Sequence, residues 1–182
     1  MSNSEPSPEV SWFGSLCDDD YEFLGVVDPE LRSSWNHCRD IVLCAEENGY
    51  DNILLPSGYT LGIDAAAFAS AVSIATKRIR LLLAVRMGEL WLPQLARQIA
   101  TIDQMSGGRL TINIISSDLP GEELESESRY ARTREYMKIL RELLYGNPVG
   151  YHGVFVDLEI EAPRVRTVTG KCPPFYFGGF SE

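Results

Sequence analysis

The stretch Asp103–Asp118, DQMSGGRLTINIISSD, decides how the chain is read. Its first residues close a helix, Gly107 and Gly108 break the chain, and Leu110, Ile112, Ile114 and Ile115 follow as a buried strand. That strand runs into Ser116 and Ser117. Hydroxyls and free backbone N–H groups at the carboxyl end of a buried parallel strand lie where α/β proteins commonly hold a ligand. Taken alone, the glycine pair reads as a helix C-cap and turn.

The segments before this stretch repeat its alternation of helix and strand. LPQLARQIATIDQMS carries Pro93 in its first turn and lines Leu95, Ile99, Ile102 and Met105 along one face. RIRLLLAV before it is a third strand, and GIDAAAFASAVSIAT is a small-residue helix over Ala65–Ala75 with Asp64 as N-cap. YDNILLP supplies a second strand, and a helix is expected from about Pro29 to Asn48, stopped by Gly49. VSWFGSL suits a first strand before an acidic loop. After Asp118, a polar loop leads to the helix RYARTREYMKILRELLYG, then to a hairpin in GYHGVFVDLEIEAP and a fifth buried strand in PPFYFGGF.

Strand and helix thus alternate through five strands, which implies right-handed crossovers and an essentially parallel sheet. The fold class is α/β. An eight-stranded barrel typically takes about 250 residues, so the expected architecture is an incomplete parallel (β/α) barrel of the TIM type, with a doubly wound open sheet as the competing arrangement. Residues 1–10 are expected to be a disordered start, and 11–182 the N-terminal portion of the barrel.

Composition narrows the function. At 182 residues and 45% hydrophobic content the chain buries a real core. A formal charge of -10 argues against nucleic acid and anionic membrane surfaces, although a local cationic site remains open among Arg78, Arg80, Arg86, Arg97 and Arg109. Cys17, Cys38, Cys44 and Cys172 are irregularly spaced, and with only His37 and His152 they suggest free thiols rather than zinc ligands or disulfides. No apolar run approaches the roughly 20 residues of a membrane helix, and MSNSEPSPEV lacks signal-peptide character, so a cytoplasmic address is expected. Phosphate-loop, dinucleotide-fingerprint and nucleophile-elbow patterns are missing. What remains is a rim of strand ends: Ser57-Gly58, Arg86, Ser116-Ser117 and Gly178-Gly179, small, polar and cationic groups suited to an anionic ligand.

NGYDNILLPSG, KRIRLLLAVR, LARQIATIDQMSGGRLTINIISSD, SRYARTREY and PPFYFGGFSE stand in the order found in bacterial luciferase-like flavin monooxygenases. From about Ser11 onward the chain resembles that family, and within it the alkanesulfonate monooxygenase branch. The resemblance implies a (β/α)8 barrel that binds reduced FMN, supplied by a separate NAD(P)H-dependent flavin reductase, and uses O2 to oxygenate a small organic substrate. In the sulfonate-cleaving members the products are sulfite and an aldehyde. Ser57 and Gly58 match the turn beside the flavin ring, and Asn113 with Ser116 matches the strand end lining it. Tyr130 matches a tyrosine near the ribityl-phosphate, while Gly178, Gly179 and Ser181 match the glycine-rich phosphate turn. Arg86 is expected to face the cofactor or an anionic substrate, and no catalytic residue is assigned. Five strands cannot close eight, so a homo-oligomer or association with a missing C-terminal half is expected, and this chain alone is expected to be inactive. A noncatalytic flavin-binding or assembly module, and a deazaflavin-dependent oxidoreductase of the same superfamily, are the alternatives.

Overall fold

The computed structural model describes residues 8–16, 34–59 and 62–178. In chain order the elements are β1 (Ser11–Phe13), α1 (Trp35–Glu47), β2 (Asn52–Leu55), α2 (Ala65–Ala75), β3 (Arg80–Arg86), α3 (Leu92–Ser106), β4 (Leu110–Ile115), α4 (Ser126–Tyr145), β5 (Val149–His152), β6 (Asp157–Ile160) and β7 (Phe175–Phe177). Five strands form one parallel sheet in the order β1-β2-β3-β4-β7, and β5 pairs with β6 as an antiparallel hairpin. The order follows the sequence without a reversal. A doubly wound sheet must reverse at its switch point, so the competing arrangement is set aside and the barrel-type winding stands.

Winding always in one direction places the crossover helices on one face of the sheet. Residue by residue, Leu81, Leu83 and Val85 of β3 are buried in register with Leu110, Ile112 and Ile114 of β4. Together with Leu95, Ile99 and Ile102 of α3 and Ile139, Leu140 and Leu143 of α4, they form the core. Leu82, Arg86, Asn113 and Ile115 alternate to the opposite face and stay partly exposed. That opposite face is curled: the Tyr176 hydroxyl on β7 stands 3.5 Å from Oε2 of Glu9, which lies just ahead of β1. The first and last strands of the sheet therefore reach one another across its hollow side.

Local chemistry sets the boundaries. Asp64 accepts a hydrogen bond from Ala67 N at 2.7 Å and starts α2 where the sequence places it. Gly107 ends α3 in the left-handed region at φ 67°, and Gly108 N donates to Asp103 O at 2.9 Å. Helix α1 starts at Trp35, with Ser34 accepting from His37 N; the expected earlier start from Pro29 to Ser33 lies outside the described residues. Helix α4 begins at Ser126, three residues ahead of the expected Arg129, because the polar ESES run, which looks like loop, supplies its first turn. Residues 8–10, expected within a disordered start, are held against the sheet entry: Asp51 N donates to Val10 O at 3.0 Å. The hairpin is tied to α4 by Glu135, whose carboxylate accepts from Val154, Phe155 and Val156 N. No described helix is long and apolar enough to cross a membrane.

Candidate functional site

The parallel winding gathers the carboxyl ends of β2, β3, β4 and β7 on one rim, and of the residues singled out in the sequence Ser57, Gly58, Arg86, Ser116, Ser117 and Gly178 fall there. Arg86, the last residue of β3, is the clasp of this rim. Its guanidinium donates to the Ser117 hydroxyl, to Asp118 O at 3.0 Å and to Ser57 O at 3.1 Å, tying the exit of β3 to those of β2 and β4. Its Nε stands 3.2 Å from Oε1 of Glu89, an ion pair without hydrogen-bond alignment. Arg86 is therefore already committed to a carboxylate and two carbonyls, a role the sequence could not separate from anion binding.

The two serines differ. Ser117 is engaged by Arg86 through its hydroxyl and by Arg132 through its carbonyl at 3.2 Å. Ser116 Oγ is buried with no hydrogen-bond partner. A buried hydroxyl left unmet at a strand end costs stability in the folded chain. Asn113, three residues earlier and inside β4, is half-buried in register with Ala84 of β3 and Tyr176 of β7, on the hollow face. Ser57 and Gly58 line a cleft of about 660 Å³ with Arg86, Gly88 and the start of α2. Asn113 and Ser116 stand outside the walls of that cleft, so the cleft flanks the strand-end group and is not its centre.

Tyr130, in the first turns of α4, meets Phe177 at the end of β7 with ring centroids 6.1 Å apart, which sets it beside Gly178 at the same end of the sheet. Gly178 is exposed, and a Cβ built on it would meet nothing within 4 Å, so the fold alone does not require glycine there. Gly179 and Ser181 lie outside the described residues.

Sequence reading missed the support of this rim. Asp118 accepts from Leu124 N at 3.1 Å and pairs with Arg129 at 3.3 Å, and these contacts hold its carboxyl below the usual range. Arg132, 5% exposed, pairs with Glu122. Gly88, at φ 111°, passes so close to Arg132 and Leu119 that a Cβ would sit 3.1–3.3 Å from their side chains. The signal was the spacing Arg129-x-x-Arg132, which sets both cations on one side of a helix start below a loop carrying carboxylates. Of the other arginines considered for an anion site, Arg109 is fully occupied at the opposite end of the sheet, donating to Ser73 O, Thr76 O and Oγ1, Ile79 O and Ser106 O. Among the described residues no group of His, Cys, Asp or Glu is placed to hold a metal ion. Cys44 and Cys172 are free thiols, and burial pushes Cys172 up to about 12.

The model of the luciferase-like monooxygenase family matches residues 22–182, and the chain belongs to that family. It is 58% identical to the sulfoquinovose monooxygenase of Novosphingobium aromaticivorans over 98% of its own length and 51% of that protein's. With the sulfoquinovose monooxygenase of Agrobacterium fabrum it shares 46% identity over 95% of its length and 46% of the relative's. The chain thus spans about half the length of the curated relatives it matches. Among solved structures, the oxygenating constituent of 3,6-diketocamphane monooxygenase of Pseudomonas putida, in complex with FMN, superposes with a TM-score of 0.76 at 17% identity, over 95% of this chain and 52% of that one. The coenzyme F420 dependent tetrahydromethanopterin reductase of Methanopyrus kandleri superposes with a TM-score of 0.72 at 22% identity, over 94% and 51%. These two likenesses show the fold.

Proposed function

We propose that this member of the luciferase-like monooxygenase family is the N-terminal half of an FMNH2-dependent, two-component monooxygenase barrel that acts on sulfoquinovose, a sugar bearing a sulfonate. The observation that carries the site is the convergence of the carboxyl ends of β2, β3 and β4 on one rim clasped by Arg86, where Ser116 Oγ is left without a partner. The residues present fit reduced FMN: Asn113 offers an amide on the hollow face, Ser116 adds a small hydroxyl just past the end of β4, Ser57-Gly58 keeps small groups at the end of β2, and Gly178 leaves open space where the fold does not demand it. Tyr130, Gly178, Gly179 and Ser181 are assigned to the phosphate, which backbone donors in a glycine-rich turn suit. The substrate follows the names of the two curated relatives.

When bound, reduced FMN supplies the two electrons with which O2 oxygenates the carbon bearing sulfur, giving an aldehyde, sulfite, oxidised FMN and water. This chain's own part is binding and orientation. Arg86 fixes the distances between the ends of β2, β3 and β4, so that Ser57, Asn113 and Ser116 meet the ring as a preformed surface. Through the same clasp its positive charge lies at the rim, where a flavin phosphate or the sulfonate is favoured. A separate NAD(P)H-dependent flavin reductase is the assigned partner. Turnover is assigned to the barrel completed by the remaining strands, whose residues close the site from water.

The test uses this chain fused to the C-terminal half of the Novosphingobium relative, hereafter the completed barrel. Under anaerobic titration it should bind FMNH2 more tightly than FAD or reduced deazaflavin, and with a flavin reductase it should release sulfite from sulfoquinovose. Tight FMNH2 binding without sulfite release would support a flavin-binding module. Preference for the deazaflavin would overturn the cofactor assignment.

A further inference from the structure

Each crossover helix packs against the one before it, α2 on α1, α3 on α2 and α4 on α3. Beyond α4, at the open edge of the sheet, a groove of about 360 Å³ runs between that helix and the outer face of β7. Phe175 and Phe177 form its floor, in register with the core residues Ile112 and Ile114 of β4, and Tyr130 and Met137 of α4 flank them. Phe177 is 48% exposed. The rim of the groove is cationic: Arg134, Lys138 and Arg141 follow one another at i, i+4 and i+7 along α4, all exposed, and no acidic residue lines the groove. Arg134 and Lys138 make no hydrogen bond or ion pair with any described residue, and Arg141 lies over the Tyr145 ring at 5.7 Å. In a chain of net charge -10 this stripe of like charges is uncompensated. At the other edge of the sheet a groove of about 470 Å³ lies between α1 and β1, floored by Trp12, Ile41 and Tyr50, and no Lys or Arg lines it.

We infer that the groove between α4 and β7 seats the first crossover helix of the half that completes the barrel, and that this helix lays an apolar face on Phe175 and Phe177 and presents carboxylates to Arg134, Lys138 and Arg141. The inference rests on the reading of this chain as half of a barrel. Handedness selects the occupant: a right-handed crossover leaving β7 sets its helix on the face that carries α1 to α4, next in order after α4. The chain covers 51% of its Novosphingobium relative, so that relative has the sequence to supply such a helix. Two copies of this chain would bring more strands than an eight-stranded barrel closes with. Charge then separates the two edges. Both grooves are apolar, but only the one beside β7 rewards carboxylates, so the charge fixes which helix enters which groove.

Arg134→Glu separates the half from the whole by the sign of its effect. Its neighbours three and four residues away on α4 are Tyr130, Ala131, Met137 and Lys138, so in this chain alone the substitution breaks no ion pair and turns a like-charge pair into an attractive one. The melting temperature of the chain alone should be unchanged or higher by up to about 2 °C. In the completed barrel the new carboxylate faces carboxylates, and the melting temperature should fall by about 2 °C or more, a deficit that shrinks in about 1 M NaCl. A fall in both forms would make Arg134 a structural residue of α4 and overturn the inference, and a deficit untouched by salt would overturn the charge pairing. Sedimentation checks the occupant: a dimer of the chain alone that Arg134→Glu dissociates would put a second copy in the groove and overturn the assignment. A completed barrel that does not melt cooperatively would overturn the half-barrel reading together with this inference. One that melts cooperatively and releases sulfite, yet tolerates Arg134→Glu, would overturn this inference alone.

Discussion

At the amino ends of the strands, Arg109 places its guanidinium on carbonyls and a hydroxyl from α2, α3 and the turn before β3, while at the carboxyl ends Ser116 Oγ and the Nε atoms of Arg86, Arg129 and Arg132 are buried without hydrogen-bond partners. Glu46 repeats the first pattern, with one carboxylate oxygen accepting from Lys77, Arg78 and Ile79 N. So does Asp103, which accepts from Val168 N at 2.8 Å. Apart from Asn52 Oδ1, which is buried without a partner at the amino end, the unmet buried side-chain atoms among the described residues lie at the carboxyl ends. In a (β/α) barrel that difference separates stability from function, because loops at the carboxyl ends carry the ligand.

Substitutions at the satisfied end should act on stability alone. Arg109→Met leaves several carbonyls without a donor and should cost about 2–3 kcal/mol, seen as a melting temperature lower by roughly 5–10 °C. FMN affinity of the folded completed barrel should not change. A loss of affinity as large as the loss of stability would break the contrast.

Glu46→Gln is the next largest, at about 1–2 kcal/mol near neutral pH. Burial raises the Glu46 pKa, but the backbone bonds from Arg78, Ile79 and Lys77 outweigh it, and the net shift is downward. A carboxyl depressed in the fold contributes stability above its unfolded pKa, and that contribution is lost as pH falls through the folded value. Asp103 has the opposite sign: burial raises it, so its contribution is present at acid pH and is lost as pH rises through its folded value. Thermal melts against pH should therefore show a shallower acid arm in Glu46→Gln than in the parent. An unchanged acid arm would mean that the three N–H donors do not depend on the charge.

At the rim the effects on stability should be smaller. Ser117→Ala removes one hydrogen bond and should cost about 1 kcal/mol, whereas Arg86→Met removes that bond and those to Asp118 O and Ser57 O and should cost about 1–2 kcal/mol; because the first bond is shared, the pair should cost less than the sum. Arg86→Met should also weaken binding of the flavin phosphate or the sulfonate, whereas Ser117→Ala should not. Intact anion binding in Arg86→Met would reduce Arg86 to a clasp.

Much of this contrast was legible in the sequence, and the reason is local. Asp64 as a cap, Gly107 as a stop and the apolar runs of β3 and β4 act within a few residues of themselves, so their chemistry shows in order along the chain. The rim positions were legible because strand ends follow from the alternation of elements. What was not legible depends on pairings far apart in sequence. Nothing near Arg109 reveals that its acceptors are Ser73, Thr76 and Ile79, and nothing near Arg86 reveals Ser57 or Ser117. Nothing in YDNILLP reveals that Asn52 is buried and donates to Glu9.

The most direct test of the ligand-bearing rim is Ser116→Ala in the completed barrel, with melting temperature and anaerobic FMNH2 affinity measured on the same preparation. Removing an unmet buried hydroxyl should leave the melting temperature of the ligand-free protein unchanged or slightly higher. Removing a flavin contact should weaken affinity about tenfold, the equivalent of about 1.4 kcal/mol. Unchanged affinity, with or without a change in melting temperature, would contradict the assignment of this strand end to the flavin.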